Sequence, residues 1–321
     1  MVPASLESQK HLVKDFLPVI VGILLISDSG SGERYCDKLQ FMNDGVRLIA
    51  IDIDGTLLDS KGKLSEENKH AVDAAVDAGI EVSLVTGRRF SMAERIATLF
   101  DHDLTVIANN GAVIKTSRSH HLSYKDPLPL PAARQALYAT RAFRSSCVAH
   151  SEDSECGQLV CEGIDPNNLP LRWYLDKSKE DVRYVESLEE FLAVDPIQLM
   201  FGGSVEVMNG VIQAVIPLVE AGVVKMSRTE YLRNDVSIID ILSPTCSKAA
   251  ALKFLLARHG WTPENLMAIG DNHNDHDMLE LSRIAVVMGQ SVDELKTAGR
   301  HVTATNDDCG VAQAIQRFVL G

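Results

Sequence analysis

The segment LIAIDIDGTL, residues 48–57, begins as an uninterrupted apolar run and ends with two aspartates and a glycine. Such a run indicates a strand buried on both faces, as in a parallel sheet. Asp52 and Asp54 stand two residues apart, so on a straight strand their carboxylates share one side and repel each other. Gly55 lets the chain turn sharply and expose backbone amides. A solvated loop would explain one aspartate, whereas the whole D-x-D-G-T pattern predicts a chemical site at this strand end.

Apolar runs of similar length recur along the chain, and amphipathic helix patterns separate them. We predict six buried parallel strands: Leu48–Ile53, Ile80–Val85, Leu104–Ala108, Ile238–Leu242, Leu266–Ile269 and Ile284–Met288. One helix is predicted to begin after the N-cap Ser65 and to end at Gly79, and another to cover residues 247–259. The alternation of strands and helices predicts an α/β fold, with a Rossmann-like parallel sheet covered by helices on both faces.

The middle of the chain has a different organisation. A proline-rich stretch at residues 127–131 breaks the alternation, and the strand candidates after it are widely separated. We therefore expect residues 114–236 to form an inserted α/β cap domain. Residues 47–113 and 237–321 are expected to form the catalytic core.

The first 46 residues differ in pattern from the rest of the chain. Phe16–Ser27 is a twelve-residue apolar run preceded by two lysines. At ~1.5 Å per residue it spans about 18 Å, which is too short for a bilayer core of ~30 Å. A basic flank before a short apolar run resembles a secretory signal, but the adjoining Ser-Asp-Ser-Gly is a poor cleavage site. We expect residues 1–46 to be an extension outside the native fold, with Met42 as an alternative start.

Composition narrows the possible partners and the compartment. The 321 residues carry a formal net charge of −13, so no excess of basic surface favours nucleic acid or an anionic membrane. The six cysteines include no C-x-x-C pair, and such sparse usage fits a reducing, cytoplasmic compartment. Cys156 and Cys161, with His150 nearby, could hold a metal, but lone cysteines are more often small buried apolar residues. The sequence carries no signal for the oligomeric state.

Two further strand ends carry polar groups. Residues 86–88, Thr-Gly-Arg, combine a hydroxyl with turn amides, which is a suitable anion site, and Lys248 adds a cation at the start of a later helix. Residues 270–278, GDNHNDHDM, place three aspartates and two asparagines directly after a strand. These oxygen ligands suit a hard cation. A zinc site at His273 and His276 is disfavoured, because oxygen donors surround both histidines.

These segments together resemble the haloacid dehalogenase superfamily, and specifically its Cof-type phosphatases. The matching residues are DIDGTL at 52–57, TGR at 86–88, NNGA at 109–112, SK at 247–248 and GDNHND at 270–275, with Met278 next to the last of these. The resemblance runs from about Met42 to the end of the chain and includes the insertion. Ala249 departs from it, since a glycine usually comes after the lysine in this superfamily.

The resemblance implies distinct roles for four carboxylates. Asp52 is expected to attack phosphorus and become an aspartyl-phosphate. Asp54 is expected to protonate the leaving oxygen and then to activate water as a base. Mg²⁺ is expected to bind the Asp52 carboxylate, the Asp54 main-chain carbonyl and Asp271. Asp275 is expected to orient the metal shell or to act as a further ligand.

The resemblance also implies a set of phosphate contacts. Thr86, the backbone of Gly87 and Lys248 are expected to hold the oxygens of the transferring phosphoryl group and to offset their charge. Asn274 and Arg88 are expected to contribute to orientation only.

The expected function is a Mg²⁺-dependent phosphatase that hydrolyses a small phosphorylated metabolite, such as a sugar phosphate, with the cap supplying specificity. A phosphosugar mutase would use the same two aspartates but return the phosphoryl group to the sugar. A catalytically silent regulator that binds phosphorylated metabolites is the third alternative. The complete set of Asp52, Asp54, Lys248 and Asp271 argues against the silent regulator.

Overall fold

The computed structural model describes residues 45–151, 159–231 and 235–321. Its strands are β1 (Leu48–Asp52), β2 (Glu81–Val85), β3 (Thr105–Ala108), β4 (Val113–Thr116), β5 (Leu122–Lys125), β6 (Cys147–His150), β7 (Leu159–Cys161), β8 (Val182–Tyr184), β9 (Gln198–Gly203), β10 (Lys225–Tyr231), β11 (Val236–Leu242), β12 (Leu266–Gly270), β13 (Ile284–Val287) and β14 (His301–Val302). Its α-helices are α1 (Glu66–Asp77), α2 (Phe90–Ala97), α3 (Leu130–Ala139), α4 (Leu169–Asp176), α5 (Leu188–Phe191), α6 (Val205–Glu220), α7 (Lys248–Arg258), α8 (His276–Leu281) and α9 (Gly310–Ile315).

Two sequence predictions fall on residues that are not described. The expected extension, apart from residues 45 and 46, lies outside the described ranges, and so does Cys156 of the disfavoured metal site. Within the described ranges, no helix has the length and apolar character needed to cross a bilayer.

Eight strands form the first sheet, in the order β14-β13-β12-β1-β2-β3-β4-β5. The central strand β1 is parallel to β12 on one side and to β2 on the other, so that Ile51 lies opposite Ile269 and Asp52 opposite Val85. The carboxyl ends of these three strands meet at one edge of the sheet, where ligands collect in open α/β folds. The predicted α/β fold with a parallel core is confirmed.

Apolar side chains cover both faces of the first sheet. Ile51 belongs to a buried cluster that includes Val72 of α1, whereas Ala50 belongs to the opposite cluster with Leu252 of α7. This alternation results from the two-residue period of a strand. Helix α1 begins after the N-cap Ser65, as predicted.

Six strands form the second sheet, in the order β10-β11-β9-β6-β7-β8. One face packs against α3, α5 and α6, and the other against α4. Strand β6 lies antiparallel to β9, with His150 directly opposite Gln198. Cross-strand partners of this kind have their side chains on the same face, about 5 Å apart at Cβ.

The prediction that Ile238–Leu242 is a parallel strand of the core sheet is wrong. This segment lies in β11, which runs antiparallel between β9 and β10 of the second sheet. Ile239 and Ile241 belong to one apolar cluster and Ile238 packs against another, so β11 is buried on both faces like a core strand. An apolar run indicates burial, but it does not indicate which sheet provides the burial.

Strand pairing also shows where the chain passes between the sheets. Residues 113–125, which contain β4 and β5, pair with the first sheet, and residues 236–242 pair with the second. The division into a catalytic core and an inserted cap remains a prediction. The cap that we propose is the second sheet with its covering helices.

Candidate active site

The turn after β1 brings two strand ends into contact. Asp52 is the last residue of β1 and is buried. Gly55 has a φ of +81°, and a Cβ built there would lie 2.4 Å from Oδ2 of Asp271, which comes directly after β12. Thr56 Oγ1 donates a hydrogen bond of 3.1 Å to the other oxygen of Asp271. Glycine is therefore needed at position 55 for both its backbone conformation and the close approach of Asp271.

A buried lysine lies between two of the predicted aspartates. Lys248 begins α7, after the N-cap Ser247, and is 2% exposed. Its Nζ donates to Oδ1 of Asp52 at 2.7 Å and to Oδ1 of Asp275 at 2.5 Å. The other oxygen of Asp275 accepts hydrogen bonds from the backbone N–H groups of Asp271 and Asn272, at 3.0 and 3.1 Å. Asp275 thus fixes both the ammonium group and the loop that carries Asp271.

Burial and charge act together on these groups. The pKa of Asp52 is raised well above its ordinary value by burial and by the charge of Asp275, although Lys248 acts in the opposite direction. Burial, with Asp275 again contributing, raises the pKa of Asp271 to about 7. Burial would lower the pKa of Lys248, but the two neighbouring carboxylates raise it above its ordinary value. The site therefore holds more negative charge than one ammonium group offsets.

Three carboxylates gather closely enough to hold a cation. One oxygen each from Asp52, Asp271 and Asp275 lies within 4.8 Å of the other two. Oxygen donors in an excess of negative charge suit a hard divalent cation. The residues therefore fit the expected metal.

The carboxylate of Asp54 has a different partner. It accepts two hydrogen bonds from Arg88, from Nε to Oδ2 at 2.7 Å and from Nη2 to Oδ1 at 2.5 Å. Its side chain is 44% exposed, in contrast to the buried Asp52. This bidentate pair holds the Asp54 carboxylate at the surface of the site, where it can meet a leaving group.

Three of the four predicted phosphate-binding residues line one cavity of about 750 Å³. Thr86, Gly87 and Asn274 line it together with Asp52 and Asp271. Thr86 comes directly after β2, and its hydroxyl accepts a hydrogen bond from the backbone N–H of Arg88 at 3.1 Å. The lining does not include Lys248, which contacts the Asp52 carboxylate within the protein.

Residues of the second sheet also line this cavity, among them His150, Gln198 and Asp240, to which the sequence analysis gave no role in substrate binding. Asp240 Oδ2 accepts from Asn110 at 3.0 Å, and its Oδ1 accepts from the Gln198 amide nitrogen at 2.8 Å. Asn109 donates to His150 Nδ1 at 3.1 Å. A polar residue within an otherwise apolar strand, such as Asp240 in VSIIDIL, was the available sequence signal.

Comparisons with known proteins show what this chain is similar to. Residues 49–315 match the family model of the haloacid dehalogenase-like hydrolases. The 5-amino-6-(5-phospho-D-ribitylamino)uracil phosphatase YcsE of Bacillus subtilis is 28% identical over 283 residues, which cover 86% of this chain and 96% of that protein. The crystal structure of BT1666 from Bacteroides thetaiotaomicron, described among haloalkanoate-superfamily phosphatases, is 26% identical with a TM-score of 0.68 and covers 86% of this chain and 96% of its own.

A third relative is a longer protein. The chloroplastic endoribonuclease YBEY of Arabidopsis thaliana is 27% identical over 297 residues, which cover 86% of this chain. The match spans only 48% of that protein, so this chain corresponds to about half of its length.

Proposed function

The chain belongs to the haloacid dehalogenase-like hydrolases, and on that premise we propose that it is a Mg²⁺-dependent phosphatase acting on a small phosphorylated metabolite in the cytoplasm. The observation that carries the proposal is the position of Asp52. It is a buried carboxylate fixed by Lys248, and it lines the cavity beside Asp54 and Asp271. An anchored carboxylate in a cavity with anion-binding amides is suited to attack on phosphorus.

We assign two chemical steps to the two aspartates of β1 and its turn. In the first, an oxygen of Asp52 bonds to phosphorus while the bond from phosphorus to the leaving oxygen breaks, and Asp54 gives its proton to that oxygen. In the second, Asp54 takes a proton from water, and the water oxygen bonds to phosphorus while the bond from phosphorus to the Asp52 oxygen breaks. Inorganic phosphate leaves, and Asp52 is again a free carboxylate. Through its two hydrogen bonds, Arg88 orients the ionised Asp54 carboxylate for the second transfer.

The remaining residues hold the phosphoryl group and the metal. Mg²⁺ would be held by the Asp52 and Asp271 carboxylates and the Asp54 carbonyl, with Asp275 fixing the loop behind them. Bound there, it would offset charge on the phosphoryl oxygens. Thr86 and the Gly87 amide contribute hydrogen-bond donors from the end of β2, and Asn274 donates from the loop after β12.

We propose a phosphorylated sugar or sugar alcohol as the substrate. The name of the Bacillus subtilis relative places a phosphate on a ribityl chain, which is a sugar alcohol. The cavity of about 750 Å³ has room for a leaving group of that size as well as the phosphate.

The test separates the two aspartates. Asp52→Asn should abolish turnover and the covalent adduct, because the attacking charge is lost. Asp54→Asn should slow an alkyl phosphate ~10²–10⁴-fold but slow the first step of p-nitrophenyl phosphate less, since that leaving group needs little protonation. The aspartyl-phosphate should then accumulate on Asp52 and be visible by mass spectrometry. Asp293→Asn, a change at a fully exposed carboxylate, is the control.

Two results would contradict the proposal. The first is a phosphoryl group on a residue other than Asp52, and the second is full activity after exhaustive chelation. Discharge of the adduct by a sugar phosphate instead of water would identify a mutase.

A further inference from the structure

Two buried polar atoms in the cavity wall lack a hydrogen-bond partner among the described residues. They are Nε2 of His150 and Oε1 of Gln198, whose residues are 4% and 1% exposed. The two residues lie opposite each other on β6 and β9, and both line the cavity that contains Asp52. Leaving a buried donor or acceptor unpaired destabilises a protein, so two unpaired atoms on cross-strand partners point to a bound group that pairs with them.

The hydrogen-bond partners that are present define what each free atom offers. The Asn109 amide nitrogen donates to Nδ1 of His150, so Nδ1 is the acceptor. Burial, with the charge of Arg89 adding to it, lowers the pKa of His150 to about 3. A neutral imidazole that accepts at Nδ1 carries its proton at Nε2. Nε2 of His150 is therefore a hydrogen-bond donor.

Gln198 offers a hydrogen-bond acceptor, whereas His150 offers a donor. Its amide nitrogen donates to Asp240 Oδ1 at 2.8 Å, and the second oxygen of Asp240 is occupied by Asn110. A carboxylate accepts hydrogen bonds, so this contact orients the amide and leaves Oε1 of Gln198 as a free acceptor. Within the described ranges, two residues that line the cavity thus carry an unpaired donor and an unpaired acceptor.

We propose that His150 and Gln198 bind the leaving group of the substrate, and that this group presents a hydrogen-bond acceptor next to a donor. The proposal rests on the proposed phosphatase function and adds the chemistry of the group that carries the phosphate. Adjacent hydroxyls of a sugar alcohol have this pattern, and so does the imide edge of a pyrimidine. A site that hydrogen-bonds a substrate discriminates strongly against an analogue without those groups.

Three probe phosphates distinguish these sources. Sorbitol 6-phosphate offers hydroxyls, uridine 5′-monophosphate offers an imide edge, and phenyl phosphate offers neither. Wild-type kcat/KM should be at least about tenfold higher for one of the first two than for phenyl phosphate. The probe with the higher kcat/KM shows whether hydroxyls or an imide edge provide the acceptor and the donor.

Two substitutions of His150 distinguish the roles of its two ring nitrogens. His150→Asn keeps an acceptor close to the position of Nδ1 and loses the Nε2 donor, whereas His150→Gln places an amide nitrogen close to Nε2. His150→Asn should lower the preference for the polar probe over phenyl phosphate on the order of tenfold, and His150→Gln should restore most of it. Gln198→Met should lower the same preference by a similar factor.

Val148→Ala is the matched control. Val148 lies two residues before His150 on the same strand and is buried in an apolar cluster, but it does not line the cavity. Val148→Ala should leave unchanged the ratio of kcat/KM for the polar probe to kcat/KM for phenyl phosphate. Equal losses of His150→Asn on polar and phenyl substrates, or no wild-type preference for either polar probe, would overturn the inference. No phosphate release from any of the three probes would instead refute the phosphatase proposal itself.

Discussion

Replacement of Lys248 by methionine tests the electrostatic basis of the candidate site. The lysine side chain is 1% exposed, and its two partners Asp52 and Asp275 are 6% and 0% exposed. Methionine keeps most of the apolar stem but leaves both carboxylates without the ammonium group. Removal of one partner from a buried charge pair costs about 3–5 kcal/mol. We therefore expect Lys248→Met to reduce the free energy of unfolding by about 3 kcal/mol at pH 8.

The pH dependence of this loss has a definite sign. Lys248 lowers the pKa of Asp52, so its removal raises further a pKa that burial has already raised. A carboxyl group whose pKa is higher in the folded than in the unfolded state binds its proton preferentially in the folded state, so it destabilises the fold as pH rises. The deficit of Lys248→Met should therefore be smaller at pH 5 than at pH 8.

Urea unfolding monitored by circular dichroism, in the presence of a chelator, measures both effects. Lys253→Met is the matched control, because Lys253 lies on the same helix with an exposed side chain. It should unfold like the wild type. Turnover of Lys248→Met should fall at least ~10²-fold, since Asp52 loses the group that fixes it. A variant with wild-type stability at both pH values would refute the reasoning.

Two further predictions concern the surroundings of the site. Burial raises the pKa of Asp240 to about 7. The contribution of this group to the free energy of unfolding should therefore fall by about 3 kcal/mol as pH rises from about 4 to about 7. Urea unfolding of Asp240→Asn should lack this decrease. An unchanged pH profile in Asp240→Asn would contradict this. Gly111→Ala should lower the melting temperature more than Gly62→Ala. Both glycines have a positive φ, but of these two positions only 111 would place the new Cβ against backbone, 2.2 Å from the Ser247 carbonyl oxygen. Equal melting temperatures of the two variants would show that the contact is not limiting.

The sequence predicted the strand ends of the core because each combines an apolar run with a polar tail. Asp52, Thr86 and Asp271 all lie at the carboxyl ends of buried parallel strands, and the parallel arrangement alone brings such ends together. The pairing of charges could not be predicted in this way. The sequence does not show that Lys248 contacts two aspartates, or that Arg88 binds Asp54, because these contacts depend on rotamers and on how far each loop extends.

The second sheet was predicted less well for a related reason. Strand β11 was assigned to the core because Ile238–Leu242 is apolar at four of its five positions, as β1 is. Asp240 was the exception within that run, and its raised pKa shows what the exception costs. A carboxyl group in the middle of a buried strand needs partners from elsewhere, here Asn110 and Gln198. Of these two partners, Asn110 comes from the loop after β3 of the first sheet, so Asp240 takes part in a contact between the sheets.

The loop after β3 explains how that contact reaches the chemistry. Asn109 and Asn110 both have positive φ, 51° and 56°, a conformation that asparagine tolerates better than most residues. The backbone N–H groups of these two asparagines donate to the carbonyls of Arg88 and Thr86, and their side chains donate to His150 and Asp240. One short loop thus joins the turn after β2 of the first sheet to two strands of the second. A shift of this loop would therefore move His150 and Asp240, and with Asp240 the Gln198 amide that it orients, relative to Asp52.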